Sequence, residues 1–558
     1  MCSEKLKSIA IVACLVAAIT GVGARPADQA TPGPRFFPDD PISRDDDRLI
    51  DAGGVKELEL SESYDFLLNT FAPEGDREQI RAVNVNTVDE VPDSSWFTNR
   101  IGVRDLPLAE IVRGPNKFER LDATDWVLVA GKSPGGFHPG FLAEHPGDPG
   151  QVYQLEIDPV DHPQMATGAE LIGTLLYHAL GYHVEDVYVI RMDAARITIS
   201  DKATIRDASG RRRFNRRDLD AILRQAARDR QGRVYMSATR FHQGEPVGNF
   251  EYQGTRSDDP NDIHPHEHRR ELRANRVFSA WLAHDDSRAI NTLDLLVAEN
   301  GRKHVRHYMY DFGATLGSAT RFAEPPANNH ENYLDRDASL SALASLGLAV
   351  PRYLRVPRAD GPPSAGAFDS TSFDPVRWKP NYPNPAFSNM GPDDAFWGAR
   401  LVSRFSDAAI RAIVDQVQFD DPLAAEHITR VLIERRDAIA RVWLNVVSPV
   451  VDPRLSADDT LTFVNAAVAA GAATPGTGYA VRWSRFDNRT GKAEPMGDEM
   501  RVTQERAAAP SGLLTGSEFV MSTIRGEHPD HPGWRQPVQV YFRRAGAGWE
   551  TVGIVRQP

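Results

Sequence analysis

The sequence contains almost no cysteine. Two of its 558 residues are cysteines, Cys2 and Cys14, and both lie within the first 24 residues. That segment has the features of an export signal that is removed on secretion, so the mature chain is expected to contain no thiol. This excludes disulfides, thiol catalysis and thiolate metal sites from the mature protein.

Lysine is also scarce, with nine lysines against 55 arginines, so the position of any one lysine is informative. The formal net charge is −13, and no stretch combines clustered basic residues with interleaved aromatics over a whole domain. Phosphate backbones select basic surfaces, so this composition argues against a nucleic-acid partner. With 41% hydrophobic and 25% charged residues, the chain has an ordinary globular composition, which excludes a mostly disordered protein.

The N-terminal apolar run, Ile9 to Thr20, follows two lysines and ends just before the small residues 22–24. It is shorter than the roughly 20 residues that cross a bilayer, so we interpret residues 1–24 as a signal peptide and expect no transmembrane segment after cleavage. The mature protein is predicted to be exported, periplasmic or extracellular. A lipoprotein acylated at Cys14 is the alternative, but it would leave an apolar LVAAIT segment behind the anchor.

The remaining sequence divides into three parts. Residues 25–124 are at first polar and proline-rich, and we expect an extended arm with one helix around 61–71. From residue 125, three short strand patterns joined by turns indicate a meander, followed by helices at 167–180, 267–283, 401–417 and 423–446. Residues 457–558 alternate with period two and predict a small, separate, sandwich-like β domain. The predicted fold class is α+β.

One constellation of polar residues follows the long helix. His284, Asp286 and Asn291 have the spacing H-x-D-x-x-x-x-N, and Asp311-Phe312-Gly313 follows the next predicted hairpin. Phosphoryl transfer from a nucleotide uses a carboxylate to orient the acceptor hydroxyl. It also uses an amide and a second carboxylate to hold a divalent metal against the phosphates. The residue types and the order of elements therefore fit phosphoryl transfer.

This pattern resembles the catalytic core of protein kinase-like folds, and because HRD is here HDD, it is most similar to the atypical HipA-like and CotH-like groups. The resemblance implies a two-lobed domain over 125–446, with a β-rich N-lobe at about 125–243 and a helical C-lobe at about 244–446. It further implies that Asp286 is the catalytic base, that Asn291 and Asp311 bind Mg²⁺ or Mn²⁺, and that the cofactor is ATP.

The phosphate-binding end departs from the family pattern. Where the family has a lysine on the third strand, this chain has Glu156. Lys132 opens the glycine-rich loop GKSPGGFHPG and could substitute for that lysine, while Gly135, Gly136 and Gly140 would let the backbone approach phosphate oxygens.

Glu170, on the helix that follows, is the expected partner of the lysine. It is equally the last residue of a possible capping box, Thr167-Gly168-Ala169-Glu170, which needs no catalytic role.

Two other interpretations remain open. The carboxylate at Glu156 also fits a catalytically inactive kinase fold that acts as a binding or scaffold protein at the cell envelope. The alternating histidines of 264–268 could bind a metal in a hydrolase, although a helix start near the active cleft is the preferred interpretation. For an active enzyme, the sequence leaves open whether a phosphoryl or a nucleotidyl group is transferred and whether the acceptor is a protein or a small molecule.

Overall fold

The computed structural model describes residues 33–557 except 59, 72–77, 122–124, 133–137, 208–209 and 356–360. The predicted signal peptide and the glycines Gly135 and Gly136 therefore lie outside the described residues. The protein is a mixed α+β structure with several sheets.

Seven strands form the first sheet: β1 (Trp126–Gly131), β2 (Gly140–Glu144), β3 (Val152–Ile157), β4 (Asp186–Met192), β5 (Ile197–Asp207), β6 (Gly210–Arg213) and β7 (Val234–Arg240). Their order is β4-β7-β3-β2-β1-β5-β6. The predicted meander of β1, β2 and β3 is confirmed, since both pairs are antiparallel. The parallel pairing of β1 with β5 was not predicted.

The remaining strands form three sheets: β8 (Glu245–Gly248), β9 (Thr292–Glu299) and β10 (Arg302–Met309); β11 (Val450–Leu455), β12 (Thr460–Asn465) and β15 (Arg506–Ala508); β13 (Gly478–Asp487), β14 (Lys492–Val502), β16 (Phe519–Glu527), β17 (Val538–Ala545) and β18 (Gly548–Arg556). The last two sheets share one hydrophobic core, in which Leu461 and Phe463 pack with Val481 and Trp483.

The helices are α1 (Glu62–Phe71), α2 (Leu108–Arg113), α3 (Met165–Leu180), α4 (Arg216–Leu223), α5 (Arg270–Leu282), α6 (Arg336–Ala344), α7 (Arg352–Arg355), α8 (Pro385–Ser388), α9 (Pro392–Ser403), α10 (Asp407–Val414), α11 (Pro422–Trp443) and α12 (Ala466–Ala469). The predicted single helix at 401–417 is wrong. The chain leaves α9 at Ser403 and starts α10 after Ser406, whose side chain accepts a hydrogen bond from the Ala409 N–H and caps the new helix.

The helix α3 is buried on nearly every side, because it lies between the first sheet and the core of the helical part. That core also contains the apolar faces of α5, α9, α10 and α11. None of the helices in the described part of the chain is both long and apolar enough to span a bilayer.

The segment before β1 is fastened to the rest of the chain by buried charges. Arg270, at the start of α5, donates to Asp89 at 2.8 Å, to Asp393 at 3.0 Å and to Asp394 at 3.1 Å. These four residues, called here the Arg270 network, connect residue 89 to α5 and α9.

Candidate active site

The loop that follows α5 begins with a sharp change of direction. Ala283 adopts a left-handed conformation (φ 54°) and ends the helix, and His284 is buried directly after it. The His284 ring packs against Phe312, with the ring centroids 5.6 Å apart, and Phe312 in turn packs against Tyr177 of α3 at 4.6 Å. These contacts hold the 284–291 loop against the Asp311-Phe312-Gly313 segment.

Asp286 and Asn291 are in direct contact. The Asn291 side-chain amide donates to the Asp286 backbone oxygen at 2.8 Å and to its carboxylate Oδ2 at 2.9 Å. Among the described residues, no donor reaches the Asn291 side-chain oxygen. The amide therefore orients the Asp286 carboxylate while keeping one oxygen available as a ligand.

Asp311 lies two residues beyond β10 with a positive φ of 63°. The next residue, Phe312, packs so closely on α3 that a Cβ at Gly173 would lie 2.6 Å from the Phe312 Cβ. Glycine at 173 is therefore required for this approach.

Glu170 faces the same segment. Its Oε2 would lie 3.3 Å from a Cβ added at Gly313. The alternative capping-box interpretation of Glu170 is wrong, because α3 begins at Met165 and the Thr167 side chain donates to Asp158 at 2.6 Å instead.

Lys132 reaches β3 from the end of β1. Its Nζ contacts the Glu156 Oε1, so the chain places an ammonium beside the position where the family has its strand lysine. The other Glu156 oxygen lies 3.3 Å from Nδ1 of His138, whose Nε2 donates to the Ile157 carbonyl at 2.6 Å. Glu156 is therefore held between the Lys132 ammonium and the His138 imidazole.

Four carboxyl groups come together here, and we call them the acidic cluster: Glu156, Glu170, Glu185 and Asp311. Although burial opposes ionisation, His138 and Lys132 lower the pKa of Glu156 to about 2. The other three keep raised pKa values, although Lys132 and His138 partly offset the rise at Asp311. Burial, followed by the Asp311 and Glu156 charges, raises the pKa of Glu170 well above its usual range.

Glu185 and Asp311 show the same effect. Burial and nearby carboxylates raise the pKa of Glu185 to about 8, and burial together with Glu156 raises that of Asp311 to about 6. The charge on Asp286 also contributes to the Asp311 shift. Excess negative charge in a buried site favours either protonation or a bound cation.

The predicted metal ligands and catalytic residues thus converge. Glu170 and Asp311 belong to the acidic cluster, and Lys132 contacts it through Glu156. Asp286, which Asn291 contacts, is close enough for its charge to raise the Asp311 pKa. Gly140 has a structural explanation, because a Cβ there would lie 2.2 Å from the Leu155 backbone oxygen across the β2–β3 pair. In the described part of the chain, no three His, Cys, Asp or Glu side chains are arranged to hold a metal by themselves.

Asp286 has a second partner that the sequence did not indicate. Arg288 donates to the Asp286 Oδ1 at 2.7 Å and to Asp65 of α1 at 2.8 Å. Its guanidinium also lies over the Tyr382 ring, 4.9 Å from the centroid. The Asp286 side chain is 25% exposed despite these contacts, so part of it remains accessible.

Two of the three histidines of 264–268 have structural partners. His266 bonds to Asp262 at 2.7 Å, and His268 bonds to Arg273 at 2.5 Å. Residues 266–268 form a short 3₁₀ turn before α5, so the predicted helix is present but begins at Arg270 and not at 267.

Sequence reasoning missed His138 and Glu185. His138 lies within the glycine-rich loop and was visible as the only histidine there. Glu185 carries no local signal, since it enters the site only through the packing of the α3–β4 connection.

No protein-family model matches the chain, and no curated protein matches it. Among solved structures, the crystal structure of the Helicobacter pylori proinflammatory kinase CtkA is similar to part of it, with 12% identity over 57% of this chain and 97% of that one, at a TM-score of 0.29. At this TM-score the likeness by itself assigns neither fold nor function.

Proposed function

We propose that this protein is an exported, ATP- and metal-dependent phosphotransferase or nucleotidyltransferase with an atypical kinase-like, two-lobed domain. The observation that carries the proposal is the meeting of Asp286, Asn291 and Asp311 beside a buried excess of negative charge. That arrangement favours a bound cation once the carboxyls are ionised, and Mg²⁺ in nucleotide sites is bound by one or two carboxylates together with substrate phosphates.

The residues fit such a cation. Asn291 keeps its side-chain oxygen available, and Asp311 presents a partly buried carboxylate whose pKa burial and Glu156 raise to about 6. The metal, when bound, would supply positive charge against the nucleotide phosphates.

The chain's own side chains would perform the remaining tasks. Lys132 offers the ammonium that a phosphate oxygen would contact, and Glu156 holds that ammonium in place. Asp286, oriented by Asn291, would accept the proton of an acceptor hydroxyl, for which a partly exposed carboxylate is suited.

The test is a thermal-unfolding titration of the mature chain with ATP and Mn²⁺ or Mg²⁺. A ligand at one hundred times its Kd adds about 2.7 kcal/mol to the free energy of unfolding. We expect stabilisation that requires both nucleotide and metal and that disappears in Asp311→Asn. ATP labelled at the γ or the α phosphate then separates phosphoryl from nucleotidyl transfer.

Asp45→Asn is the matched control. Burial and Asp47 also raise the pKa of Asp45 to about 6, but Asp45 lies in the arm and has other neighbours. This variant should retain the full nucleotide effect. If millimolar nucleotide did not shift the unfolding temperature of protein that unfolds cooperatively, the proposed enzymatic activity would be contradicted.

One observation favours the alternative of a catalytically inactive kinase-fold binding protein at the cell envelope. Glu156 engages the Lys132 ammonium, which an active site needs for phosphate. A protein of this kind would show nucleotide binding without label transfer, or no nucleotide binding at all.

A further inference from the structure

The contact between Lys132 and Glu156 raises a problem for nucleotide binding. A carboxylate that pairs with one ammonium cancels its charge and competes with phosphate for it. Glu156, however, has a second partner on its other oxygen, the buried His138.

The protonation state of His138 follows from its two contacts. Nε2 lies 2.6 Å from the Ile157 carbonyl, which only accepts, so Nε2 carries a hydrogen. Nδ1 lies 3.3 Å from the Glu156 Oε2, and an ionised carboxylate also only accepts. Both nitrogens therefore face acceptors, which favours the imidazolium form.

We propose that His138 is a positioning residue that, as an imidazolium, neutralises Glu156 and so leaves the Lys132 ammonium available to nucleotide phosphate. This inference rests on the proposed function, since it assigns a regulatory role in nucleotide binding at the same site. When His138 loses its proton, Glu156 keeps Lys132 as its sole cation, and the affinity for an anionic ligand falls.

The surrounding charges support this assignment. Burial alone would lower the pKa of His138, but the Glu156 carboxylate outweighs burial and raises it, while Lys132 acts in the opposite direction. Asp158 and Asp311 also interact with the His138 charge. Among the charged groups in the described part of the chain that act most strongly on the ring, Lys132 opposes the imidazolium and Glu156 favours it.

The first measurement is the NMR titration of the His138 imidazole in the mature protein without ligand, assigned with His138→Gln. We expect a pKa above the ordinary histidine value in the wild type, and a decrease of about one unit or more in Glu156→Gln. An unchanged His138 titration in Glu156→Gln would overturn the proposal. If Glu156→Gln does not fold, Lys132→Met replaces it as the test variant, because Lys132 is partly exposed. Loss of the lysine charge should raise the His138 pKa further.

The second measurement is the Kd of Mg·ATP between pH 6 and 9. We expect the wild-type affinity to fall across this range by about tenfold for each unit by which nucleotide raises the His138 pKa. Glu156→Gln should lose this dependence, and His138→Gln should bind weakly at every pH. Because the same nucleotide is used throughout, its own ionisation cancels in the comparison.

The outcomes distinguish a failure of the role proposed for His138 from a failure of the proposed function. Nucleotide binding with the same pH dependence in the wild type and Glu156→Gln would overturn the role of His138 while leaving the proposed function intact. No nucleotide binding at any pH would overturn both, even if the imidazole titrates as expected.

Discussion

The Arg270 network and the acidic cluster both bury several carboxylates, but they differ in the cations that each contains. In the first, one fully buried guanidinium donates to three carboxylates within 3.1 Å. Burial raises the pKa of Asp89, but Arg270, Arg556 and Arg81 outweigh it and lower that pKa overall. In the second, Lys132 and His138 lower the pKa of Glu156 below its usual value, but their charges do not outweigh burial and Glu156 at Asp311, whose pKa stays raised.

The comparison shows that burial by itself does not mark a functional site. The Arg270 network joins the arm to α5 and α9, and its cations lower the pKa of Asp89 although burial still raises that of Asp394. The acidic cluster instead favours protonation or a bound cation. Asp89 and the carboxyls with raised pKa in the acidic cluster, Glu185 and Asp311, should therefore respond in opposite directions to the removal of charge and to pH.

The largest effect is expected from Arg270→Met. The variant leaves Asp89, Asp393 and Asp394 buried without their shared cation, so the free energy of unfolding should fall by about 3 to 5 kcal/mol in urea titrations. Arg216→Met is the control, because Arg216 forms an exposed pair with Asp220 in α4 and should change stability by less than about 0.5 kcal/mol. Equal losses of unfolding free energy in the two variants would show that the Arg270 network does not stabilise the fold.

The pH dependence of stability should reveal the uncompensated groups. Glu185 has a pKa raised by burial to about 8, so the folded state keeps a proton that the unfolded state releases above its ordinary pKa. Stability is then greatest at low pH and falls as pH rises towards 8, by about 2 kcal/mol between pH 6 and 8 from this group. Glu185→Gln should flatten the profile; a wild-type profile that rises over this interval would contradict the assignment.

Asp311→Asn should stabilise the ligand-free protein. The pKa of Asp311 is raised by burial and Glu156 to about 6, so ionised Asp311 opposes folding at pH 8, and the amide should recover about 1 to 2 kcal/mol there. At pH 4 the gain should disappear, because the carboxyl is then protonated. Asp89→Asn is the matched contrast and should destabilise at pH 8. If both variants changed the free energy of unfolding at pH 8 in the same direction, the clusters would not differ.

The smallest effect concerns the one compensated pair within the acidic cluster. A double-mutant cycle of Lys132→Met and Glu156→Gln should give a coupling free energy of about 1 kcal/mol, since the lysine is partly exposed and screened by solvent. The corresponding cycle for Arg270 and Asp393, both buried, should give a larger value. A Lys132–Glu156 coupling of zero would mean that the contact does not hold the ammonium in place.

Much of the architecture was predictable because it follows from local sequence patterns. The β1–β3 meander, the hairpin of β9 and β10 and the C-terminal strands all follow from period-two alternation and turns. The sites of Asp286, Asn291 and Asp311 were predictable from their spacing and their positions at element ends.

What could not be predicted depends on contacts between distant parts of the chain. The Thr167 capping box looked plausible locally, but Asp158 binds that threonine and α3 starts earlier. The break between α9 and α10 depends on packing that the apolar periodicity does not report. His138, Glu185 and Arg288 acquire their neighbours only in the folded chain.

The most direct test of the central claim is an electron paramagnetic resonance titration of Mn²⁺ with the mature protein, with and without ATP. The account predicts weak binding of Mn²⁺ alone, tight binding when ATP is present, and loss of the ATP-dependent site in Asp311→Asn although that variant is folded. If Mn²⁺ and ATP leave the folded wild-type protein unoccupied, the acidic cluster is not a nucleotide–metal site and the proposed catalysis is wrong.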